Sequence, residues 1–277
     1  MNLSEKTVLI TGSTDGLGKM VATHLAQKGA AVLLHGRDPE KGERTLEEIK
    51  RSTGSTKLTY FNADFSSLLQ VKKLAEEINT KYFGIDILIN NAAVGGGPQG
   101  AQQRELSDDG YELRFAINYL ATFLLTENLL PLLQRKGTRI IQVSSVGQEA
   151  IDFSDVMIER RYSGMRAYRQ SKLAMVMYSF DLAERLIDNG VTVNALHPAT
   201  LMNTKMVIEY FGSALTRVEQ GAEALEYLAL SSELDNTTGV YFDGKRPSKA
   251  NPQAHDLKAR KQLRALSEEL TGKYLIR

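Results

Sequence analysis

Apolar residues along this 277-residue chain fall into short, nearly continuous aliphatic runs, separated by longer stretches where they recur every three or four positions. The short runs are KTVLIT, AAVLLHG, KLTYFNAD, IDILINNA, TRIIQVSS and VTVNALHP. Each predicts a strand, and because most are apolar throughout rather than alternating, the strands are expected to be covered on both faces. The intervening stretches carry helix signals. Asp38-Pro39 predicts an N-cap followed by proline in the first turn, Ser67 and Gln70 predict a capping box, and Gly29 and Gly190 mark helix exits. Six strands alternating with helices predict an α/β fold built on a doubly wound parallel sheet, with ligands bound at the carboxyl ends of its strands.

A chain of this length can bury one substantial core, so a single domain is expected over 1–277. The segment from Val94 to Arg104, with Gly95, Gly96, Gly97, Pro98 and Gly100, follows a strand end and is expected to be a loop over the ligand. Residues 247–251 read as loop. Leu257, Leu263, Leu266 and Leu270 then predict an amphipathic packing helix within 253–270. A formal net charge of +1 offers no broad field for nucleic acid or anionic lipid, so neither is expected as a partner. The absence of cysteine excludes disulfides, thiolate zinc sites and a thiol nucleophile. The histidines at 24, 35, 197 and 255 are scattered, so no metal is expected, and His197 reads as support for the loop after its strand. The chain has neither a basic-then-apolar leader nor a run of about 18 apolar residues. These features lead to the expectation of a soluble, cytoplasmic protein without a membrane contact.

Directly after the first strand stands TGSTDGLG, in which Gly12, Ser13, Asp15, Gly16, Leu17 and Gly18 are candidate nucleotide-binding residues. Glycines allow a tight turn and close backbone approach, and a helix beginning near Leu17 aims free N–H groups at a pyrophosphate. With a strand before and a helix after, the context is that of a Rossmann-type dinucleotide site with helices on both faces of the sheet. The second strand ends in HGRD. Arg37 there can hold a ribose 2′-phosphate through charge-assisted hydrogen bonds, which favours NADP(H) over NAD(H). Asp64 with Phe65, and Asn91 with Ala92 and Ala93, end the third and fourth strands as candidates for the adenine and ribose. The nucleotide-binding half is placed at 1–135, the catalytic and substrate half at 136–246, and a helical extension at 247–277.

Tyr168 and Lys172 are four residues apart in a helical stretch and so share a face. Tyr241 and Lys245 repeat the spacing, but across a turn expected at Asp243-Gly244. Tyr168 has further company in Ser144-Ser145 and Asn118. Carbonyl reduction needs a proton donor, and a neighbouring ammonium can bring a phenol toward neutrality. A serine hydroxyl can hold the substrate oxygen, and an asparagine can anchor a water that relays protons.

In this order, TGSTDGLG, Asp64, NNAA, Asn118, VSS, YRQSK and HPATLMNT resemble the short-chain dehydrogenase/reductase family over Lys6 to about Thr204. The resemblance implies an NADP(H)-dependent oxidoreductase acting on an alcohol or carbonyl group of a small, mostly apolar substrate. It implies a catalytic tetrad of Asn118, Ser145, Tyr168 and Lys172, with Ser144 as the alternative serine and Lys172 also binding the nicotinamide ribose. Pro198, Thr200 and Thr204 are implied near the nicotinamide, although Ala93 and Ala199 stand where the family commonly has glycine. The long interval between Ser145 and Tyr168 resembles the retinol-dehydrogenase-like and protochlorophyllide-reductase-like branch and is expected to wall the substrate pocket. Met202, Met206, Tyr210 and Phe211 suggest an apolar lining. Relatives often form dimers or tetramers through the helices around Asn118 and Tyr168, so a homodimer or homotetramer is an expectation. Two alternatives are a non-catalytic NADP-binding sensor or scaffold, which would be expected to lose part of the tetrad, and a sugar-nucleotide epimerase, which generally needs a longer C-terminal domain.

Overall fold

A computed structural model describes residues 2–97 and 103–276. Pro98 and Gly100 of the expected loop lie outside the described residues. All six aliphatic runs form strands: β1 (Thr7–Ile10), β2 (Ala31–Gly36), β3 (Leu58–Asn62), β4 (Ile87–Asn90), β5 (Arg139–Val143) and β6 (Thr192–His197). A hairpin of β7 (Tyr241–Asp243) and β8 (Arg246–Ser248) completes a sheet of order β3-β2-β1-β4-β5-β6-β7-β8, parallel except for the last pair. The hairpin places Arg246–Ser248 in a strand, where loop is expected from residue 247 onward.

Successive strand residues point to opposite faces, and both faces are dry. Leu9, Leu33, Leu88 and Ile140 pack with α3 (Leu68–Lys81) and two long helices described below. Their neighbours Val8, Ile10, Val32, Ile87 and Ile141 pack on the opposite side with α1 (Gly16–Gln27), α2 (Pro39–Thr53) and α8 (Val218–Leu230). This is the single-domain Rossmann-type architecture expected.

Asp38 caps α2 through the Lys41 N–H (3.0 Å), with Pro39 in the first turn. The Ser67–Gln70 capping box does not form. Ser67 makes no side-chain cap, Gln70 Oε1 instead accepts from the Asp64 N–H, and Asp109 from a distant loop accepts from the Leu68 N–H (2.8 Å). A tertiary partner has displaced the local one.

The helix of α4 (Leu113–Phe115) and α5 (Ala121–Leu133) is continuous through a π turn at Ala116–Leu120. Leu113–Leu133 is long and apolar enough to cross a membrane, a property not expected from the sequence, but most of it is buried against the sheet and neighbouring helices. Beside it lies α6 (Gly164–Leu186). The C-terminal α9 (Leu257–Thr271) crosses the outer side of both. Ser267 and Tyr119 share a hydrogen bond of 2.7 Å, Arg260 pairs with Glu184 (2.8 Å), and Ile276 N–H donates to Asn128 (2.8 Å). Leu257 is exposed, whereas Leu263 is buried with Arg260, Ser267 and Thr271. The docked face is therefore more polar than leucine spacing implies, and it occupies part of the surface considered for dimerisation.

Candidate active site

The turn from β1 into α1 is held by groups far along the chain. Asn91 Nδ2 donates to the carbonyls of Thr11 (3.0 Å) and Gly12 (2.9 Å), and the Thr11 hydroxyl accepts the N–H groups of Asn91 and Ala92. Side chains at the glycines would break this arrangement. A Cβ on Gly12 would lie 2.8 Å from Ala92 Cα, and one on Gly18 would lie 2.3 Å from Gly12 O. Asp15 caps α1 through the Gly16 N–H (2.8 Å) and pairs with Lys41 of α2, which holds its carboxyl below the usual range. Gly16 faces the Thr204 methyl group, so Thr204 closes on the turn from the far side. Two candidates stand differently. Ser13 is fully buried, with its hydroxyl accepting the His35 N–H (2.9 Å), and Leu17 packs its side chain into the core. Neither presents a side chain to a nucleotide, because the turn needs both groups inside.

His35 takes part in the turn although its sequence position does not mark it as a site residue. Its Nδ1 accepts from the Gly12 N–H (3.2 Å), so Nε2 carries the proton donated to the Ala63 carbonyl (3.1 Å). The ring stacks on Phe65 at 4.4 Å, and burial pushes its pKa down to about 4. A neutral imidazole thus ties the glycine turn to the end of β3. Phe65 is a buried stacking partner, and Asp64 accepts from the Ser66 N–H (2.8 Å) at the sheet edge. Arg37 is exposed and makes no hydrogen bond or ion pair among the described residues. Gly36 beside it leaves room for Thr14, whose side chain would meet a Cβ at 2.6 Å.

Tyr168 and Lys172 lie one turn apart on α6, which Ser163 caps. At the end of β5 the two serines separate. Ser144 is buried and donates to the Lys172 carbonyl (2.7 Å), whereas Ser145 is partly exposed beside Tyr168. A methyl on Gly147 would stand 3.5 Å from Ser145 Oγ and 3.9 Å from Tyr168 Cε1. Geometry therefore separates Ser145 from Ser144 as the hydroxyl next to the phenol. Lys172 is buried, donates to the Val143 carbonyl (2.9 Å) and lies 5.8 Å from the Tyr168 ring centroid. Burial lowers its pKa to about 8. Burial also raises the Tyr168 phenol, opposed by its hydrogen bond with Ser145. The expected lowering of Tyr168 by Lys172 is thus not seen: burial is the larger cause, and the ammonium is turned to the Val143 carbonyl.

Asn118 sits in the π turn, fully buried. Its Nδ2 donates to Val94 O and Ser171 Oγ (both 3.0 Å), and its Oδ1 accepts the Val94 N–H (2.8 Å). Both side-chain N–H groups are engaged, so the carboxamide fixes the loop after β4 against α6 and does not offer a donor to water. His197 Nε2 bonds the Thr200 hydroxyl (3.1 Å), while Thr204 caps α7 (Lys205–Phe211) through the Val207 N–H. Pro198 and Met202 back onto Gly221 of α8. Ala93 is partly exposed.

The segments expected to surround the substrate converge. Gly95 lies under Tyr210 and Met206 of α7, and Gly96 lies against Met165 at the start of α6. The insertion is anchored by Tyr162, which donates to the fully buried Glu112 (2.8 Å) and accepts from Arg114 (2.9 Å), whose Nε donates to Gly95 O. Of the suggested lining, Met202 packs into the core and Phe211 is exposed; Met206 and Tyr210 face the loop.

A model of the short chain dehydrogenase family matches residues 6–213. Retinol dehydrogenase 13 of Mus musculus is 36% identical over 96% of this chain and 84% of its own length. A crystal structure of an uncharacterised protein from Mycobacterium paratuberculosis superposes with a TM-score of 0.79, at 30% identity over 97% of this chain and 94% of that one. Two further structures have TM-scores of 0.70 and 26% identity. A short chain dehydrogenase from Shigella flexneri, complexed with NADP, covers 88% of this chain and 99% of its own. A 3-ketoacyl-(acyl-carrier-protein) reductase from Brucella melitensis, complexed with NADH, covers 87% and 97%. The sheet order, the glycine turn at its switch point and these similarities lead to one assignment: the chain belongs to the short-chain dehydrogenase/reductase family of oxidoreductases, in its retinol-dehydrogenase-like branch.

Proposed function

We propose that this chain is an NADP(H)-dependent oxidoreductase that interconverts an alcohol and a carbonyl group on a small, mostly apolar substrate. The observation that carries this reading is the placement of Ser145 and Tyr168 side by side, with Lys172 beneath, at the carboxyl edge of the sheet that also bears the glycine turn. The residues fit a dinucleotide: Gly12 and Gly18 make a cradle that a Cβ would fill, and the positive end of α1 begins there. Arg37, exposed after the end of β2, suits a 2′-phosphate. When bound, the nicotinamide exchanges a hydride with the substrate carbon.

Ser145 holds the substrate oxygen beside Tyr168, whose phenol donates the proton as negative charge develops on that oxygen. A raised phenol is protonated at neutral pH, which suits reduction. Lys172 then stabilises the phenolate left behind, an interaction strengthened by its buried setting. Asn118 keeps the loop after β4 docked on α6. The name of the Mus musculus relative supports including long apolar aldehydes such as retinaldehyde among the substrates tried.

The test is titration with NADPH and NADH by cofactor fluorescence, followed by a panel of aldehydes and ketones at fixed NADPH. Tighter binding of NADPH and its oxidation by an apolar carbonyl compound are expected. Failure to bind either cofactor would overturn the reading, and binding without turnover across the panel would favour a sensor.

A further inference from the structure

The last ladder residue of β5 is Val143, opposite Leu196, and one more backbone bond ties Ser144 N–H to Leu196 O (2.7 Å). Ser145 lies beyond the sheet. Its carbonyl is held instead by two side chains: the Tyr241 hydroxyl donates to it at 3.0 Å and Gln148 Nε2 at 2.9 Å. Tyr241 comes from β7, where parallel pairing with β6 sets it opposite Ala195, and it is buried. Gln148 is fixed from the same quarter, its Oε1 accepting the Asn251 N–H (2.9 Å) beyond β8. On the other side of the residue, Ser145 Oγ accepts the Gly147 N–H (3.1 Å) next to Tyr168. The Tyr241/Lys245 spacing thus serves a different end from Tyr168/Lys172, for Lys245 turns away to pair with Glu223.

A buried phenol needs a partner, and this one takes the peptide carbonyl of the serine that faces the catalytic tyrosine. With the sheet ended, few other bonds would restrain rotation of that peptide, and a small rotation would swing Oγ away from the substrate oxygen. We infer that Tyr241 is a positioning residue for the reaction, holding Ser145 Oγ in place from the C-terminal hairpin. This rests on the functional reading above, in which Ser145 binds the substrate oxygen.

The test is Tyr241→Phe, which removes one oxygen and keeps the packed ring, made in the full-length chain alone and together with Ser145→Ala. The single variant is expected to lose about tenfold in kcat, with KM, NADPH affinity and Tm near those of the unmutated protein. In the Ser145→Ala background, followed by single-turnover oxidation of NADPH, the same change should alter the rate less than twofold. An unchanged kcat in the single variant, or the same tenfold loss in both backgrounds, overturns the inference. Failure of the unmutated chain to turn over any carbonyl compound overturns the functional reading, and this inference with it.

Discussion

Lys172→Met separates what this lysine does for chemistry from what it does to the fold. Burial sets its pKa at about 8, against 10.5 for a free lysine. Because the folded value lies below the unfolded one, the unfolded chain binds more protons between these limits. The residue therefore destabilises the fold below pH 8, and the penalty fades as pH rises from 8 to 10.5. Its size is about 3 kcal/mol at neutral pH. Methionine fills similar volume without a charge but leaves the Val143 carbonyl unpaired, a loss of about 1 kcal/mol. The variant is then expected to gain about 2 kcal/mol at pH 7, or roughly 5 °C in Tm. That advantage should shrink steadily up to pH 10, while carbonyl reduction is abolished. Urea denaturation of both proteins at pH 7, 8.5 and 10, beside an NADPH-oxidation assay, measures this. A variant less stable at pH 7, or a stability difference that does not change with pH, would refute the reasoning.

Tyr168→Phe should lower kcat at least a thousandfold while NADPH fluorescence titrations remain unchanged; retained turnover would remove it as the proton donor. Arg37→Asp should weaken NADPH binding by about 2 kcal/mol, roughly thirtyfold, and NADH binding little; equal losses in parallel titrations would mean that the guanidinium does not meet the phosphate. Asp109→Ala should cost about 1 kcal/mol in urea denaturation, because its carboxylate caps α3, whereas Ser67→Ala should be neutral; the opposite ranking would contradict the observed cap.

The strands were legible because a parallel sheet covered on both faces demands uninterrupted aliphatic runs, and the six runs carry that demand on their own. The glycine turn was legible for a related reason: Gly12 and Gly18 answer backbone contacts that no side chain allows. Spacing along one helix is likewise enough to put Tyr168 and Lys172 on a shared face. Where two neighbours offered the same chemistry, the sequence stopped short. Only the end of β5 and its packing on α6 decide that Ser144 turns inward to the Lys172 carbonyl and Ser145 outward to the phenol.

The same limit applies wherever the partner is distant in sequence. Gln70 and Ser67 had the right spacing for a cap, yet Asp109 arrived from the opposite loop with a charged acceptor and took the helix end. His35 opens the HGRD segment, whose chemistry points to Arg37; its part in holding the glycine turn exists because β1 and β3 flank β2. The protonation of the site was also a tertiary matter. A cation four residues away predicts a lowered phenol, but burial of both groups raises Tyr168 and lowers Lys172. Local sequence fixes which groups can meet along one element, whereas desolvation and long-range partners depend on everything packed around them.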